Sequence, residues 1–324
     1  METQELTHYK SLVAKLPLLK KEIGKVIVGQ QEAIQEVLIA LLAGGHCLLE
    51  GVPGLAKTLM VKTMADALDM RFKRIQFTPD LMPGDIAGTE ILEEDHETGR
   101  KFFKFNHGPI FANVVLADEI NRTPPKTQAA LLEAMQEYKI TYGGTDYLLP
   151  RPFLIIATQN PIEQAGTYPL PEAQLDRFLL YIKLSYPSEQ EELDVLKSTT
   201  GTARPELQTV LTDQDIADLQ HLTRQVHISD DLISFINKLV RSTRPESSTS
   251  SFVKQRCDWG AGPRAGQALV LCAKARSVLH GRFSVIPEDI HTLAYPILRH
   301  RIALNFRAEA ESITTDDVIR ELLK

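Results

Sequence analysis

The chain has 324 residues, 43% hydrophobic and 24% charged, enough apolar material for a real core and for two domains. Its formal net charge of -6 speaks against a general nucleic-acid binder, because holding a phosphate backbone rests on clustered Lys and Arg. The longest apolar stretch, Val37 to Leu49, is broken by Gly44, Gly45 and His46 and falls short of the roughly 20 residues that span a bilayer.

No membrane insertion is therefore expected. The N-terminus reads METQELTHYK, acidic and polar where a secretory signal needs a basic start and an apolar run, so the expected location is the cytoplasm. Cys47, Cys257 and Cys272 form no CxxC pair and are too few for a disulfide framework. The histidines show no HExxH spacing, and no zinc site is expected.

From residue 34 to residue 184, short runs of Val, Ile, Leu and Phe alternate with longer helix-like segments, the pattern of a parallel sheet with crossover helices. Five core strands are expected, over residues 46–50, 72–77, 113–119, 153–160 and 178–184. Directly after the first comes Gly51-Val52-Pro53-Gly54-Leu55-Ala56-Lys57-Thr58, and then a helix, TLMVKTMADAL, in which Leu59 completes the candidate loop. Glycines let successive amides turn inward around anionic oxygens, and the new helix adds its positive end. Lys57 is placed to reach the β- and γ-phosphates of a nucleotide, and the Thr58 hydroxyl to hold Mg²⁺. The usual pattern has Gly where this chain has Ala56, which is tolerable if the local φ is negative.

After the second strand, ILEEDHETGRKFFKF reads as a hairpin turning near Thr98-Gly99, with the acidic run from Glu93 to Glu97 as a solvated loop. The third strand, NVVLADE, is apolar until Asp118 and Glu119 arrive side by side. Ligands of an open α/β sheet sit beyond the carboxyl ends of its strands, so this pair shares an edge with the phosphate loop. Asp118 suits Mg²⁺ support through water, and Glu119 suits orienting and deprotonating an attacking water.

A second hairpin, YKITYGGTDYLL, turns at Gly143-Gly144. The fourth strand, FLIIATQN, ends on Asn160, whose amide suits holding that water or touching the γ-phosphate. Arg177, in LDRF before the fifth strand, lies far from its own phosphate loop and suits a neighbour's γ-phosphate. Beyond Tyr186-Pro187 the pattern turns helical, with an N-cap at Ser188, and a second, all-helical domain is expected. There RPESSTSS, Arg244 to Ser251, reads as an exposed loop. Arg264, in GPRAG at a helix start, is placed to reach back to the nucleotide and couple it to the angle between domains. Either arginine taken alone is better explained as a surface ion pair.

GVPGLAKT, VLADEINR, IATQNP, LDRF and GPRAG, in this order and spacing, resemble the MoxR family of AAA+ ATPases, which are chaperone-like proteins, and the resemblance covers nearly the whole chain. It implies an AAA+ P-loop NTPase core over residues 1–187 and a helical lid domain over 188–324. It makes Lys57 and Thr58 the Walker A residues, Asp118 and Glu119 Walker B, Asn160 sensor one, Arg177 an arginine finger and Arg264 sensor two. It adds Gly29 and Gln30, in Val28-Gly29-Gln30, as adenine contacts, and makes the two hairpins a helix-two insert at 80–108 and a hairpin before sensor one at 139–150. Ala at position 56 is common in that family. The implied activity is ATP-driven remodelling or maturation of other proteins, often metal-cofactor enzymes, by hexameric rings with partners that contain von Willebrand factor A domains.

Three other readings stay open at this point. They are a motor subunit like that of magnesium chelatase, a nucleotide-gated binding module with little turnover, and a DNA translocase. An intact Glu119 weighs against the second, since a pure switch has no use for a general base. The third needs positively charged hairpins, and these offer Lys139 in one and Arg100, Lys101 and Lys104 in the other.

Overall fold

The computed structural model describes residues 3–94, 96–97, 99–161, 166–201 and 205–324. Its strands are β1 (Cys47–Glu50), β2 (Phe72–Gln76), β3 (Gly88–Glu94), β4 (Lys101–His107), β5 (Val114–Asp118), β6 (Lys139–Tyr142), β7 (Thr145–Leu148), β8 (Leu154–Gln159), β9 (Leu180–Lys183), β10 (Cys257–Trp259) and β11 (Ala303–Leu304). Among them the helices of the first part are α1 (Thr3–Ile23), α2 (Gln31–Ala43), α3 (Lys57–Ala67), α4 (Pro83–Ala87), α5 (Pro125–Glu137) and α6 (Glu172–Leu175).

The five expected core strands pair in the order β2-β5-β8-β1-β9, every neighbour parallel. Both faces of the central strands β1, β5 and β8 are buried, as a sheet flanked by crossover helices requires, while β2 at the edge is largely exposed. Leu48, Val115, Ala117, Ile155 and Ala157 join Leu131, Leu132 and Met135 of α5 in one cluster. Cys47, Leu49, Leu116, Ile156 and Ile182 point to the other face and pack with α2 and α3.

The second cluster does not stop at the α/β part. It takes in α1, and also the later helices α8 (Asp213–Gln225), α9 (Asp230–Ser242), α10 (Ser251–Arg256) through Val253, α11 (Pro263–Leu279) and α12 (Pro287–Leu298), whereas α7 (Glu189–Thr199) buries no residue. Two short helices, α13 (Phe306–Ala310) and α14 (Thr315–Leu322), complete the chain. Polar ties run alongside this apolar seam: Tyr9 OH meets His221 Nδ1 at 2.9 Å, and Gln220 Nε2 donates to Leu41 O at 2.7 Å.

Ser188 caps α7 as expected, its amide donating to Glu191 Oε2 at 2.8 Å in a reciprocal capping box. The region after it is helical except for β10 and β11, a short antiparallel pair that the periodicity did not disclose. The segment from Arg244 is looped, yet Ser248 is buried and Arg244 Nε donates to Ala261 O at 2.9 Å, so it is tied down rather than freely exposed.

Both hairpins form, β3 with β4 and β6 with β7, and Gly143 and Gly144 take the positive φ of 55° and 82° that the turn requires. Thr98 lies outside the described residues. Glu93 and Glu94 extend β3 instead of forming a loop, because Glu93 finds Lys104 across the strands at 3.1 Å. The hairpins lean on each other through Phe105, stacked on Tyr147 with ring centroids 4.2 Å apart.

At the base of the first hairpin Gly88 and Gly108 pass so closely that a Cβ on either would strike the other's backbone, and Gly88 has φ of 104°. Gly88→Ala is expected to cost about 1–3 kcal/mol, read as a lower thermal midpoint. An unchanged midpoint would show that this base is not held closely.

Candidate functional site

The register places the carboxyl ends of the central strands together. Glu50 lies beside Gln159, Gln76 beside Asp118, and Gly51 N donates to Gln159 O at 3.3 Å. The loop from Gly51, the paired acids and Asn160 therefore share one edge of the sheet, as expected for a ligand crevice.

Within the loop, Gly54 and Ala56 take left-handed backbone, with φ of 91° and 53°. Left-handed residues within such a turn face amides toward a common centre, which makes an anion cradle. The sign at Ala56 is opposite to the negative φ expected for a tolerated alanine. The start of α3 immediately after it dictates the geometry, and Ala56 is held there as that helix's N-cap. Leu55 is buried and anchors the loop, while Pro53 and Gly54 stay exposed.

Lys57 Nζ donates to Gly51 O at 2.6 Å. Burial lowers the ammonium's pKa below the ordinary lysine value, and Asp118 and Glu119 act on it in the opposite direction.

The acids are held by groups the motif does not contain. Thr158, fully buried on β8, donates to Asp118 Oδ1 at 2.6 Å and accepts from the Glu119 amide at 2.9 Å. Arg74 on β2 donates to Asp118 Oδ2 through Nε at 3.0 Å and Nη2 at 2.6 Å. Gln76, two residues on and so on the same face of β2, donates to Glu119 Oε2 at 2.7 Å, and Arg122 lies 3.1 Å from the same oxygen. Glu119 itself takes φ 58° and ψ 49°, an uncommon conformation for a non-glycine residue and one that concentrates at functional sites. The sequence signal for Arg74 and Gln76 is polar residues at alternate positions near the carboxyl end of the edge strand β2.

Thr58 and Asp118 supply only hard oxygen donors, and no group of three or more His, Cys, Asp or Glu poised for a metal occurs among the described residues. That set fits Mg²⁺, which keeps several waters and takes one or two protein oxygens plus phosphates.

Beside the loop lies an apolar pocket of about 450 Å³, lined by Val28 and Gln30, by Pro53 to Ala56 and Leu59, and across from them by Tyr186, Val195 and Leu196. Gly29 and Gln30 both have left-handed backbone, and Gln30 Nε2 donates to Ser185 O at 2.8 Å. The face that α7 contributes to this pocket was not marked by any motif.

Arg177 and Arg264 are elsewhere. β9 runs parallel to β1 with Leu180 opposite Cys47, and Leu179 N donates to His46 O at 2.7 Å. Arg177 therefore stands at the amino edge of the sheet, separated from Gly51 by the whole of β1, about 10 Å of strand. Arg264 Nη1 is 3.6 Å from Asp176 Oδ2, and both arginines line one cleft of about 210 Å³ to which the phosphate loop contributes nothing. For Arg264 this differs from the expectation of reaching back to its own nucleotide. The reason is that α11 packs against α2 and α12 and delivers its N-terminus to the far edge.

An L-residue in the left-handed region costs roughly 1–2 kcal/mol, less the entropy glycine loses on folding. Ala56→Gly is therefore expected to raise unfolding stability by up to about 1 kcal/mol, where the same change inside a helix lowers it. A denaturant midpoint that falls would rule out strain at this position.

The chain matches the family model "ATPase family associated with various cellular activities (AAA)" over residues 46–180 and "AAA lid domain" over residues 250–322. It is 43% identical over 304 residues to "Chaperone MoxR1" of Mycobacterium tuberculosis, spanning 94% of this chain and 79% of that protein. Against the Bacillus subtilis protein YeaC it is 44% identical over 311 residues, 95% of this chain and 93% of the other. A crystal structure from Cytophaga hutchinsonii, of a protein described as an ATPase by inference, superposes with a TM-score of 0.92 at 44% identity, covering 100% of this chain and 98% of that one. A sheet with its loop, paired acids and polar strand end at one edge, and near-full-length identity to these relatives, make this chain a member of the MoxR family of chaperone-like AAA ATPases.

Proposed function

We propose that the chain binds ATP with Mg²⁺ and hydrolyses it in a homo-oligomeric ring, of hexameric size in keeping with its family resemblance, to remodel or mature partner proteins. The observation that carries this reading is the convergence of the Lys57 loop and the Asp118-Glu119 pair on one sheet edge, with an apolar pocket sized for a nucleoside lined by the same loop. In it, residues 1–187 are the nucleotide-binding core and 188–324 the lid.

Adenine enters the pocket between Val28-Gly29-Gln30, Leu59 and α7, and the amides from Gly51 to Thr58 wrap the phosphates with help from the start of α3. Thr58, and Asp118 through water, hold the Mg²⁺, which when bound draws negative charge from the phosphate oxygens. Glu119 takes the proton from the attacking water, and Asn160, buried at the end of β8, keeps that water aligned. Charge that develops on the transferred phosphoryl group is met by Arg177, with Arg264 beside it, from the adjacent copy. The position of both arginines at the edge remote from their own loop supports this assignment.

A protein client is favoured over nucleic acid by the hairpins. Leu92 and Phe103 are 56% and 70% exposed on the first, Leu148 is 78% exposed on the second, and Lys104 and Lys139 are paired with Glu93 and Asp146. Partners with von Willebrand factor A domains follow from the family resemblance, and a cytoplasmic setting is part of the same proposal. Among the described residues no helix is long and apolar enough to cross a membrane.

Equilibrium binding of a fluorescent ATP analogue should require Mg²⁺ and be abolished by chelation, and Glu119→Gln should keep that affinity while turnover falls on the order of 100-fold or more. Unaltered turnover in Glu119→Gln would end the hydrolytic reading. Arg177→Ala should bind ATP normally yet lose hydrolysis on the order of 1,000-fold, and regain it when mixed with a Lys57→Ala protein whose own arginines are intact. Full activity of Arg177→Ala by itself would refute action between copies.

A further inference from the structure

We propose that Asp176 and Arg301 form a positioning pair that holds Arg177 and Arg264 side by side for presentation to a neighbouring copy; the inference rests on the intersubunit reading above. Arg301 comes just after α12, and its side chain is only 3% exposed. A charge so buried must find its partners in the protein. Nε donates to Asp176 Oδ1 at 2.7 Å, Nη2 to Asp176 O at 3.3 Å and to Phe178 O at 2.8 Å, and Nη1 to Leu179 O at 3.3 Å and to Ile297 O.

Apart from the one to Ile297, these bonds go to residues 176, 178 and 179, and none goes to Arg177 itself. The guanidinium brackets the turn from which Arg177 projects, with the rigid fork geometry that only arginine supplies. The remaining carboxylate oxygen of Asp176 faces Arg264 Nη1 at 3.6 Å, so one acid joins the buried cation to the second exposed arginine.

Backbone pairing closes the arrangement. β10 ends at Trp259, shortly before Arg264, and β11 begins at Ala303, shortly after Arg301, with those two residues in register. Neighbours of Arg301 extend the grip along β9, since His300 Nε2 donates to Phe178 O at 3.1 Å and Arg299 Nη1 to Tyr181 O at 3.1 Å. The lid segment thus sets where the turn bearing Arg177 sits, and an error of about 1 Å in such a group costs on the order of 100-fold in rate.

The test compares Arg301→Lys, which keeps the charge and loses the fork, and Asp176→Asn, which keeps the shape and loses the charge, with Arg177→Ala as reference. For each, three quantities are measured: affinity for the Mg²⁺-bound fluorescent ATP analogue, steady-state turnover, and turnover in an equimolar mixture with Glu119→Gln. Affinity should stay within about twofold of the parent while turnover falls on the order of 100-fold. Mixing should then restore activity, because Glu119→Gln copies bring intact arginines to variants whose own Glu119 is intact. Asp176→Asn carries the test if Arg301→Lys does not assemble. Parental turnover in Arg301→Lys and Asp176→Asn with Arg177→Ala inactive would overturn the positioning role and leave the intersubunit reading standing. Parallel loss of affinity and turnover without recovery on mixing would also overturn it, marking general damage. Parental turnover in Arg177→Ala would instead defeat the intersubunit reading on which this inference rests.

Discussion

β1 lies hydrogen-bonded between β8 and β9, all three running the same way, and the functional side chains take their places from that register. At its carboxyl end the chain leaves the sheet as the loop of Gly51 to Thr58, in line with Asp118 at the end of β5 and Asn160 beyond β8. At the amino end of β9 it carries Arg177. The loop with its acids and the turn that bears Arg177 are thus held at opposite rims of a single sheet, about 10 Å of strand apart.

Charge at the carboxyl rim is organised as densely as burial demands. Asp118 is 8% exposed, and its two oxygens are engaged by Thr158 and Arg74. Glu119 is gripped by its backbone as well as its side chain, through Thr158, Gln76 and Arg122. A carboxylate at the end of an apolar strand needs such partners, and each of them comes from a neighbouring strand or turn. The lid provides the matching order at the other rim, where Arg301 crosses from α12 to the turn before β9. Since α11 packs on both α12 and α2, and α12 also on β9, Arg264 and Arg301 belong to one body with the helix that covers the sheet.

Much of this was legible before the fold was known. Apolar runs gave the five strands to within a residue or two, because burial on both faces leaves little else in a parallel strand. Gly143-Gly144 announced its hairpin through the positive φ it tolerates, and Ser188 its helix through the spacing to Glu191. GVPGLAKT and the paired acids were expected on one edge and are found there, since strand-then-loop and strand-then-acid both point to the carboxyl ends. Less visible were Arg74, Gln76 and Thr158, whose roles depend on which strands become neighbours. The β10 and β11 pair, only three and two residues long, is too short for any period to register.

Local chemistry in the sequence determined the elements and the edge on which the loop and the paired acids meet, because a glycine-rich turn after a strand and two acids ending another are statements about adjacent residues. Tertiary structure alone decided the sign of φ at Ala56, the partners of Asp118 and the side of the molecule on which Arg264 emerges. Those outcomes follow from strand order and from the way α11 packs on α2, contacts between segments roughly 200 residues apart whose geometry no local pattern encodes.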